Sequence, residues 1–407
     1  MNSSLELRQL AALNGLVAKI SASNRFYRPK LAAANGLDGF ATLDDFRTRM
    51  PLTAKDELAR DQVDHPPYGS TLTYPPEGYT RYHQTSGTGG RPIVWLDNQE
   101  SWHWLLENWK TIWLKAGAVR GDSAFFAFSF GPFLGFWSAF DSAVQLGIRA
   151  IPAGGMSSSE RLRFLLARRP RILCCTPTYA LHLAEVAAAE KIDLGTSAVK
   201  TIIVAGEPGG SIPGTRARLE TLWPGARIQD HHGMTEVGPV TYECPVRPRV
   251  LHVMEGSYIA EIIDPATGQH LHSGDAGELV LTALGRLGSP LIRYRTGDLV
   301  RSALDSHCDC GRNELALEGG ILGRTDDMVC IRGVNVYPSA VEEILRVHGG
   351  VAEYQVQVNR MDALAEISLQ AEPLPSVTDA AAFAGELERA LQTAFNLRIP
   401  VTAVAVG

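Results

Sequence analysis

The sequence predicts an α/β protein with a large N-terminal domain of doubly wound sheets, a small β-barrel-like sheet appended to it, and a small mobile α+β C-terminal domain. Three observations lead there. Short apolar runs alternate with stretches of helical spacing from about residue 100 to residue 300. Between residues 250 and 300 the chain changes to strand-like runs separated by turn residues. After Gly323 the pattern resets to a compact unit. At 407 residues the chain is long for one hydrophobic core, so the natural division is residues 1–322 and 323–407.

Taken in order, Leu5 to Ile20 reads as an amphipathic helix carrying Glu6 and Arg8, with no cationic leader or cleavage site, and so not as a signal peptide. Leu105 to Leu114 has apolar residues at helical spacing. Ala124 to Ser129, Ile148 to Pro152, Ile172 to Cys175, Ile202 to Ala205 and Arg227 to Gln229 read as short buried strands, separated by turns such as Gly154-Gly155 and Pro208-Gly209-Gly210. Tyr258 to Ile263 and Gly277 to Thr282 supply the smaller sheet. In the last unit, Ser339-Ala340-Val341-Glu342 has the pattern of a capping box opening a helix that ends at Gly349-Gly350. Strands near Glu353 to Val358 and Ala363 to Gln370, a helix from about Asp379 to Phe395 and a final strand complete it.

Composition narrows the function classes. A formal charge of −6 without a basic block argues against a nucleic-acid partner. The most apolar run, Ala124 to Phe140, is interrupted by Ser129, Gly131, Pro132 and Gly135 and is too short and broken to span a bilayer. A cytoplasmic location is expected, and there six cysteines suit thiols or metal ligands better than disulfides. Cys308-Asp309-Cys310-Gly311 is a tight turn able to present two thiolates to one ion. Cys244 is a candidate third ligand and His252 a fourth, with His307 competing, which would make a closed tetrahedral zinc site. Cys174, Cys175 and Cys330 lie in apolar runs and read as core residues.

The strongest chemical signal is Thr85-Ser86-Gly87-Thr88-Gly89-Gly90-Arg91-Pro92, a loop whose glycines let backbone N–H groups close on an anion while the hydroxyls add donors. It lacks the Gly-Lys-Ser/Thr ending of a P-loop and offers Arg91 instead. Three more segments follow: Asp230-His231-His232-Gly233-Met234-Thr235-Glu236, then Arg293-Tyr294-Arg295-Thr296-Gly297-Asp298, then Gly323-Arg324-Thr325-Asp326-Asp327-Met328 running into Arg332-Gly333-Val334-Asn335-Val336-Tyr337-Pro338. In this order and spacing the four resemble the adenylate-forming superfamily of acyl-CoA synthetases, most closely its phenylacetate-CoA ligase branch, over roughly residues 40 to 405.

The resemblance implies ATP-dependent activation of a carboxylic acid as an acyl-adenylate, with AMP then displaced by a thiol. It places Thr85, Ser86, Gly87, Thr88, Gly89 and Arg91 at the phosphates, Thr235 at the α-phosphate and Glu236 on Mg2+. Asp298 matches the residue that takes the ribose hydroxyls, with Arg324 assisting, and Ala205-Gly206-Glu207-Pro208 the adenine-edge segment. Gly233 and Met234 belong to the same nucleotide loop. His232 stands where the family usually has a stacking Tyr, and imidazole is also flat. His231 joins the loop without a specific role and is expected at the surface. Arg91 replaces the usual Lys, keeping the charge and changing its geometry. Asp326 matches the hinge. The lysine that the family brings from a loop near its extreme C-terminus has no match up to Gly407. The branch has a similar Cys/His arrangement, which supports structural zinc.

For the acid, the resemblance points to the segment containing Phe130, Gly131, Phe133, Gly135, Phe136 and Trp137, with the glycines leaving room for a ring. A small aromatic or cyclic carboxylic acid is expected, amino- or hydroxy-substituted forms included, with a long fatty acid fitting less well; CoA is the expected acceptor. A carrier-protein thiol or an amine as acceptor, and a non-catalytic nucleotide- or acid-binding protein, remain alternatives, and a homodimer is left open.

Overall fold

The structure is a computed structural model that describes residues 4–85, 92–304, 307–325, 329–331, 334–336, 338–361 and 364–405. Its organising element is a five-stranded, all-parallel sheet built from β1 (Ser123–Phe126), β2 (Arg149–Pro152), β3 (Ile172–Cys175), β4 (Thr201–Val204) and β5 (Arg227–Asp230) in the order β2-β1-β3-β4-β5. The three inner strands β1, β3 and β4 read as nearly continuous apolar runs because both faces are covered, while the edge strands β2 and β5 carry Arg149, Arg227, Gln229 and Asp230. Ala124, Phe126, Ile172, Cys174 and Ile203 join one core. The alternate residues Phe125, Leu173, Cys175, Ile202, Val204 and Ile228 join the other. Cys174 and Cys175 are thus core residues, as expected; the side chain of Cys330 lies outside the described residues.

The first strand ends at Phe126, three residues earlier than its apolar run suggested. Beyond it the chain leaves the sheet in an aromatic loop, where Trp137 Nε1 donates to the Gly131 carbonyl at 3.0 Å, and re-enters regular structure as the helix Gly135–Gln145. The predicted helix around Leu105 runs from Gln99 to Lys115, capped by the Asn98 side chain, which accepts from the Ser101 N–H.

Two antiparallel sheets flank this unit. One orders Tyr258–Ile263, Ala276–Ala283, Tyr294–Arg301 and Gly323–Arg324, and the other Thr241–Glu243, Val250–Val253 and Ala316–Glu318. Gly323 pairs with Leu299 and Arg324 with Asp298, and the Thr325 N–H donates to the Gly297 carbonyl at 2.7 Å. Residues 323–325 are therefore stitched to the N-terminal unit.

Residues 329–403 hold a separate core of Val341, Leu345, Leu369, Phe383, Leu387 and Leu391, among others. Strands Val351–Met361 and Leu364–Pro373 pair antiparallel, Val401–Ala403 adds in parallel, and helices Pro338–His348 and Ala380–Phe395 cover them. The first of these helices begins at Pro338, so Ser339 sits within its first turn and is not its cap; proline suits a first position, where its missing N–H costs nothing. This helix docks on the helix Pro213–Leu222, whose own N-terminal residue Ile212 offers no side-chain cap. The Glu343 carboxylate supplies one from across the interface, accepting the Gly214 N–H at 2.9 Å.

Candidate active site

In an open parallel sheet, ligands sit beyond the C-terminal ends of the strands where the strand order reverses. Here the reversal lies between β1 and β3, and the loops leaving β4 and β5 line a cavity of about 480 Å³. Its wall contains Thr85, Ala205, Gly206, Glu207, Pro208, His231, His232, Gly233, Met234, Thr235, Glu236, Asp298 and Arg324. Every one of these positions was picked from the sequence. Ser86, Gly87, Thr88, Gly89, Arg91 and Asp326 lie outside the described residues.

The phosphate loop is pinned at its base. The Thr85 N–H donates to the Ile93 carbonyl and Thr85 Oγ1 accepts the Ile93 N–H, both at 3.0 Å, which leaves the hydroxyl proton to donate elsewhere. The turn after β4 needs Gly206, whose φ is +95°. The loop after β5 doubles back as a tight hairpin of Gly233–Met234 with Gly238–Pro239, and a Cβ on Gly233 would lie 2.9 Å from the Gly238 carbonyl. Glu207 is engaged by Thr178, accepting its N–H at 2.8 Å and its hydroxyl at 2.5 Å.

Asp298 is held from two sides. His232 Nε2 lies 2.8 Å from its Oδ2 and Arg324 Nη1 donates to its Oδ1 at 3.1 Å. The imidazole expected to stack on adenine thus spends one edge on the carboxylate expected to take the ribose hydroxyls. Asp230, at the foot of the loop, is partly buried, and loss of water around it pushes its carboxyl up to about 7 although the Ser211 hydroxyl bonded to it at 2.5 Å opposes this.

His231 is not at the surface. It is buried, edge-on to Trp109 with ring centroids 4.5 Å apart, and burial drives its pKa down to about 3, so the ring is neutral.

Sequence reasoning gave no role to four residues. Lys55 Nζ lies 3.3 Å from Glu236 Oε1 on the cavity wall. It is delivered by a backbone bridge of Thr53 to Tyr294, in which the Thr53 N–H donates to the Arg293 carbonyl at 2.8 Å. Tyr294 itself donates its hydroxyl to Glu236 Oε1 at 3.4 Å. Arg286 and Asp97 form a fully buried pair, with Nε to Oδ1 at 2.7 Å and Nη2 to Oδ2 at 2.6 Å, and Arg286 Nη1 donates at 2.7 Å to the carbonyls of both Thr235 and Glu236. Burial works to raise the Asp97 carboxyl, but Arg286 and His83 outweigh it and hold it below its usual value. No sequence spacing links positions 97, 235 and 286; only the fold brings them together.

Of the acid-pocket candidates, Phe133, Gly135 and Phe136 line the cavity together with Trp109 and Leu134. Phe130, Gly131 and Trp137 are not on that wall: Phe130 packs between Trp137 and Phe140, with centroids at 4.5 and 5.6 Å. They shape the loop that carries the lining residues.

At the far side of the second antiparallel sheet, Cys244, His252, Cys308 and Cys310 bring their ligand atoms within 4.8 Å of one another. Cys244 Sγ and Cys308 Sγ are 3.7 Å apart, close to the separation of about 3.8 Å for two sulfurs each about 2.3 Å from one tetrahedral zinc ion. Cys310 Sγ lies 3.4 Å from His252 Nε2, while His252 Nδ1 faces the Glu314 carbonyl at 3.3 Å, a contact that orients the ring. His307 is outside the cluster, exposed and bonded to Asn313 at 2.9 Å.

The comparisons agree with this geometry. Residues 82–285 match the AMP-binding enzyme family and residues 333–407 the AMP-binding enzyme C-terminal domain. The chain is 34% identical to a phenylacetate-coenzyme A ligase of Thermus thermophilus over 90% of its own length and 81% of that protein's. It is 33% identical to one of Escherichia coli K12, over 85% and 77%. Among solved structures, 2-hydroxyisobutyryl-CoA ligase in its postadenylation state, complexed with 2-HIB-AMP, superposes with a TM-score of 0.91 at 30% identity, covering 98% of this chain and 86% of the other. The same ligase in its thioesterification state with CoA gives 0.75, so the two units here are arranged as in the postadenylation state.

The fold and site define an adenylate-forming enzyme, and the non-catalytic alternative falls away. The chain belongs to the AMP-binding enzyme family, in its phenylacetate-CoA ligase-like branch, and is a carboxylate-AMP/CoA ligase.

Two outcomes follow. Arg286→Met leaves Asp97 buried without its partner and frees the carbonyls that fix Thr235 and Glu236; we expect a loss of about 3–5 kcal/mol in urea unfolding. Asp230 holds its proton to about pH 7 in the folded chain but to about pH 4 when unfolded. Its contribution is therefore full below pH 4 and is lost as pH rises to 7. Asp230→Asn should flatten that fall, read as the difference between the melting-temperature profiles of the two proteins from pH 5 to 8.

Proposed function

We propose that the acid activated by this enzyme is a small aromatic or cyclic carboxylate, which reacts with ATP to give acyl-adenylate and pyrophosphate and is then handed to CoA. The observation that carries the reading is one cavity whose wall joins Trp109, Phe133 and Phe136 to Thr235, Glu236 and Asp298. It offers flat apolar surface for a ring next to carboxylates and hydroxyls suited to a nucleotide. Asp298 and Arg324 would take the ribose, His232 the adenine face, and Glu236 a magnesium ion, an oxygen-ligand site of the kind magnesium prefers. Magnesium supplies charge neutralisation at the phosphates when bound. Lys55, beside Glu236, adds a cation where negative charge builds during adenylation, a position in which a preorganised charge lowers the barrier. We place the hinge between Thr325 and Val329, since the residues before it pair with the N-terminal sheet and those after it join the second core.

Pyrophosphate release in the presence of ATP, magnesium and a panel of aryl and alicyclic acids tests the reading. At least one aromatic acid should be turned over well above linear fatty acids, and Glu236→Gln should slow release by about 100-fold, the loss expected for one stabilising electrostatic contact of about 3 kcal/mol. Preference for linear fatty acids overturns the acid class, and unchanged turnover in the variant removes Glu236 from the magnesium site.

We further propose that the Cys244, His252, Cys308 and Cys310 cluster holds structural zinc. Four protein ligands leave no open position, so the ion would tie the 308–311 turn to the sheet and do no chemistry. Metal analysis of purified protein should find about one zinc per chain, and Cys308→Ser should lose both the metal and several degrees of melting temperature. A metal-free wild type with an unchanged melting temperature would eliminate the site.

A further inference from the structure

The first turn of the helix Pro213–Leu222 keeps two backbone donors outside its own ladder, the N–H groups of Gly214 and Thr215, because Pro213 has none and the Arg216 N–H bonds the Ile212 carbonyl at 2.9 Å. A Ser, Thr, Asp or Asn at position 212 would take one of them, which Ile212 cannot. The acceptor comes instead from the smaller unit, as the Glu343 carboxylate on the helix Pro338–His348. The two helices approach so closely that the missing side chain of Gly214 matters. A Cβ there would lie 3.2 Å from Arg346 Cβ, Val347 Cγ2 and Val347 N. One turn further on, Arg218 reaches the same unit, with Nη1 donating to the Val351 carbonyl at 3.5 Å and Nη2 to Glu185 at 3.2 Å.

This seat adjoins the nucleotide cavity. Ser211 and Ile212, which lead into the helix, are on the cavity wall, and the Ser211 hydroxyl donates to Asp230. Residues 211–214 therefore belong at once to the wall of the site and to the surface on which the smaller unit rests. Glu343 and Gly214 are not themselves on that wall.

We infer that Glu343 and Gly214 are positioning residues for the first half-reaction: they seat the smaller unit in the arrangement that goes with the acyl-adenylate, and the seat is given up before the thiol attacks. The structure has this contact in the postadenylation arrangement described above. Glycine is a poor residue for a helix, and at position 214 the neighbouring helix leaves no comfortable room for anything larger. Each half-reaction runs from its own arrangement, so each rate follows the population of that arrangement and the ratio of the two follows the docking equilibrium alone. The inference needs the two-step chemistry and no particular class of acid.

The test measures the two half-reactions separately at single turnover. One is pyrophosphate release from ATP, magnesium and whichever acid of the panel above is turned over fastest; the other is thioester formation from the chemically prepared acyl-adenylate of that acid with CoA. Glu343→Ala should lower the ratio of the first rate to the second by about threefold to tenfold, the shift expected for loss of one helix cap. Gly214→Ala should lower it at least as far, although alanine is the better helix former, because the added methyl forces the two helices to give. Glu343→Gln keeps an oxygen that can accept the N–H and should fall less than Glu343→Ala. A purely structural defect lowers both rates together and leaves the ratio where it was; that result in Glu343→Ala and Gly214→Ala overturns the inference, as does a ratio that rises. Hydrogen exchange gives an arm that needs no acid: the peptide covering residues 213–217 should exchange faster in Glu343→Ala than in wild type, and equal exchange overturns the contact. Failure of every acid in the panel leaves that arm in force and strikes only the reading of the acid, so the two failures are distinguishable.

Discussion

The buried pair of Arg286 and Asp97 is the constraint on which the active-site geometry depends. A guanidinium with no exposed surface must find its partners within the protein, and four of its five N–H donors go to both oxygens of one carboxylate and to two backbone carbonyls. Those carbonyls belong to Thr235 and Glu236. The strand Val94–Asp97, the loop after β5 and the turn after Ala276–Ala283 are thus joined at one point, and the carboxylate of Glu236 is presented to the cavity from a backbone that has nowhere else to go. Removing the charge from either partner leaves the other stranded, which is why the pair holds the loop more firmly than its own hairpin hydrogen bonds can.

The electrostatic arrangement around this point is one of shared carboxylates. Asp298 is braced by His232 and Arg324, and Glu236 by Lys55 and Tyr294. Each brace fixes one oxygen while a carboxylate has lone pairs to spare for a ligand. Such preorganisation matters more than attraction in a reaction that joins two anions, because groups that are already aligned need not be ordered when charge develops.

Much of this was legible in the sequence, for a physical reason. The loops after β4 and β5 are contiguous segments at the ends of strands, and a sheet's carboxyl edge brings such loops together whatever the residues between them. The strand runs themselves were readable because a two-sided sheet demands unbroken apolar residues. Cys244, His252, Cys308 and Cys310 were readable because few other residue types can face one another at such distances. What the sequence hid were partners that meet across about 180 to 190 residues: Asp97 with Arg286, and Lys55 with Glu236. His231 was misplaced for another reason, since a polar residue in a polar loop gives no sign of which way it turns. The capping-box pattern at Ser339 put the helix start two residues too late because Pro338 is itself a good helix opener.

The contact between Glu343 and Gly214 has an outcome for motion. The helix beginning at Pro213 has no cap of its own and borrows a carboxylate from the smaller unit, so its exposed N–H groups and dipole are served only while the two units stay docked. A borrowed cap of this kind stabilises by about 1 kcal/mol and is screened by salt. Were the smaller unit to swing away, water would take over the bond at little loss. The joint therefore behaves as a latch that closes readily and releases readily, and raising ionic strength shifts it toward the undocked side without touching either core.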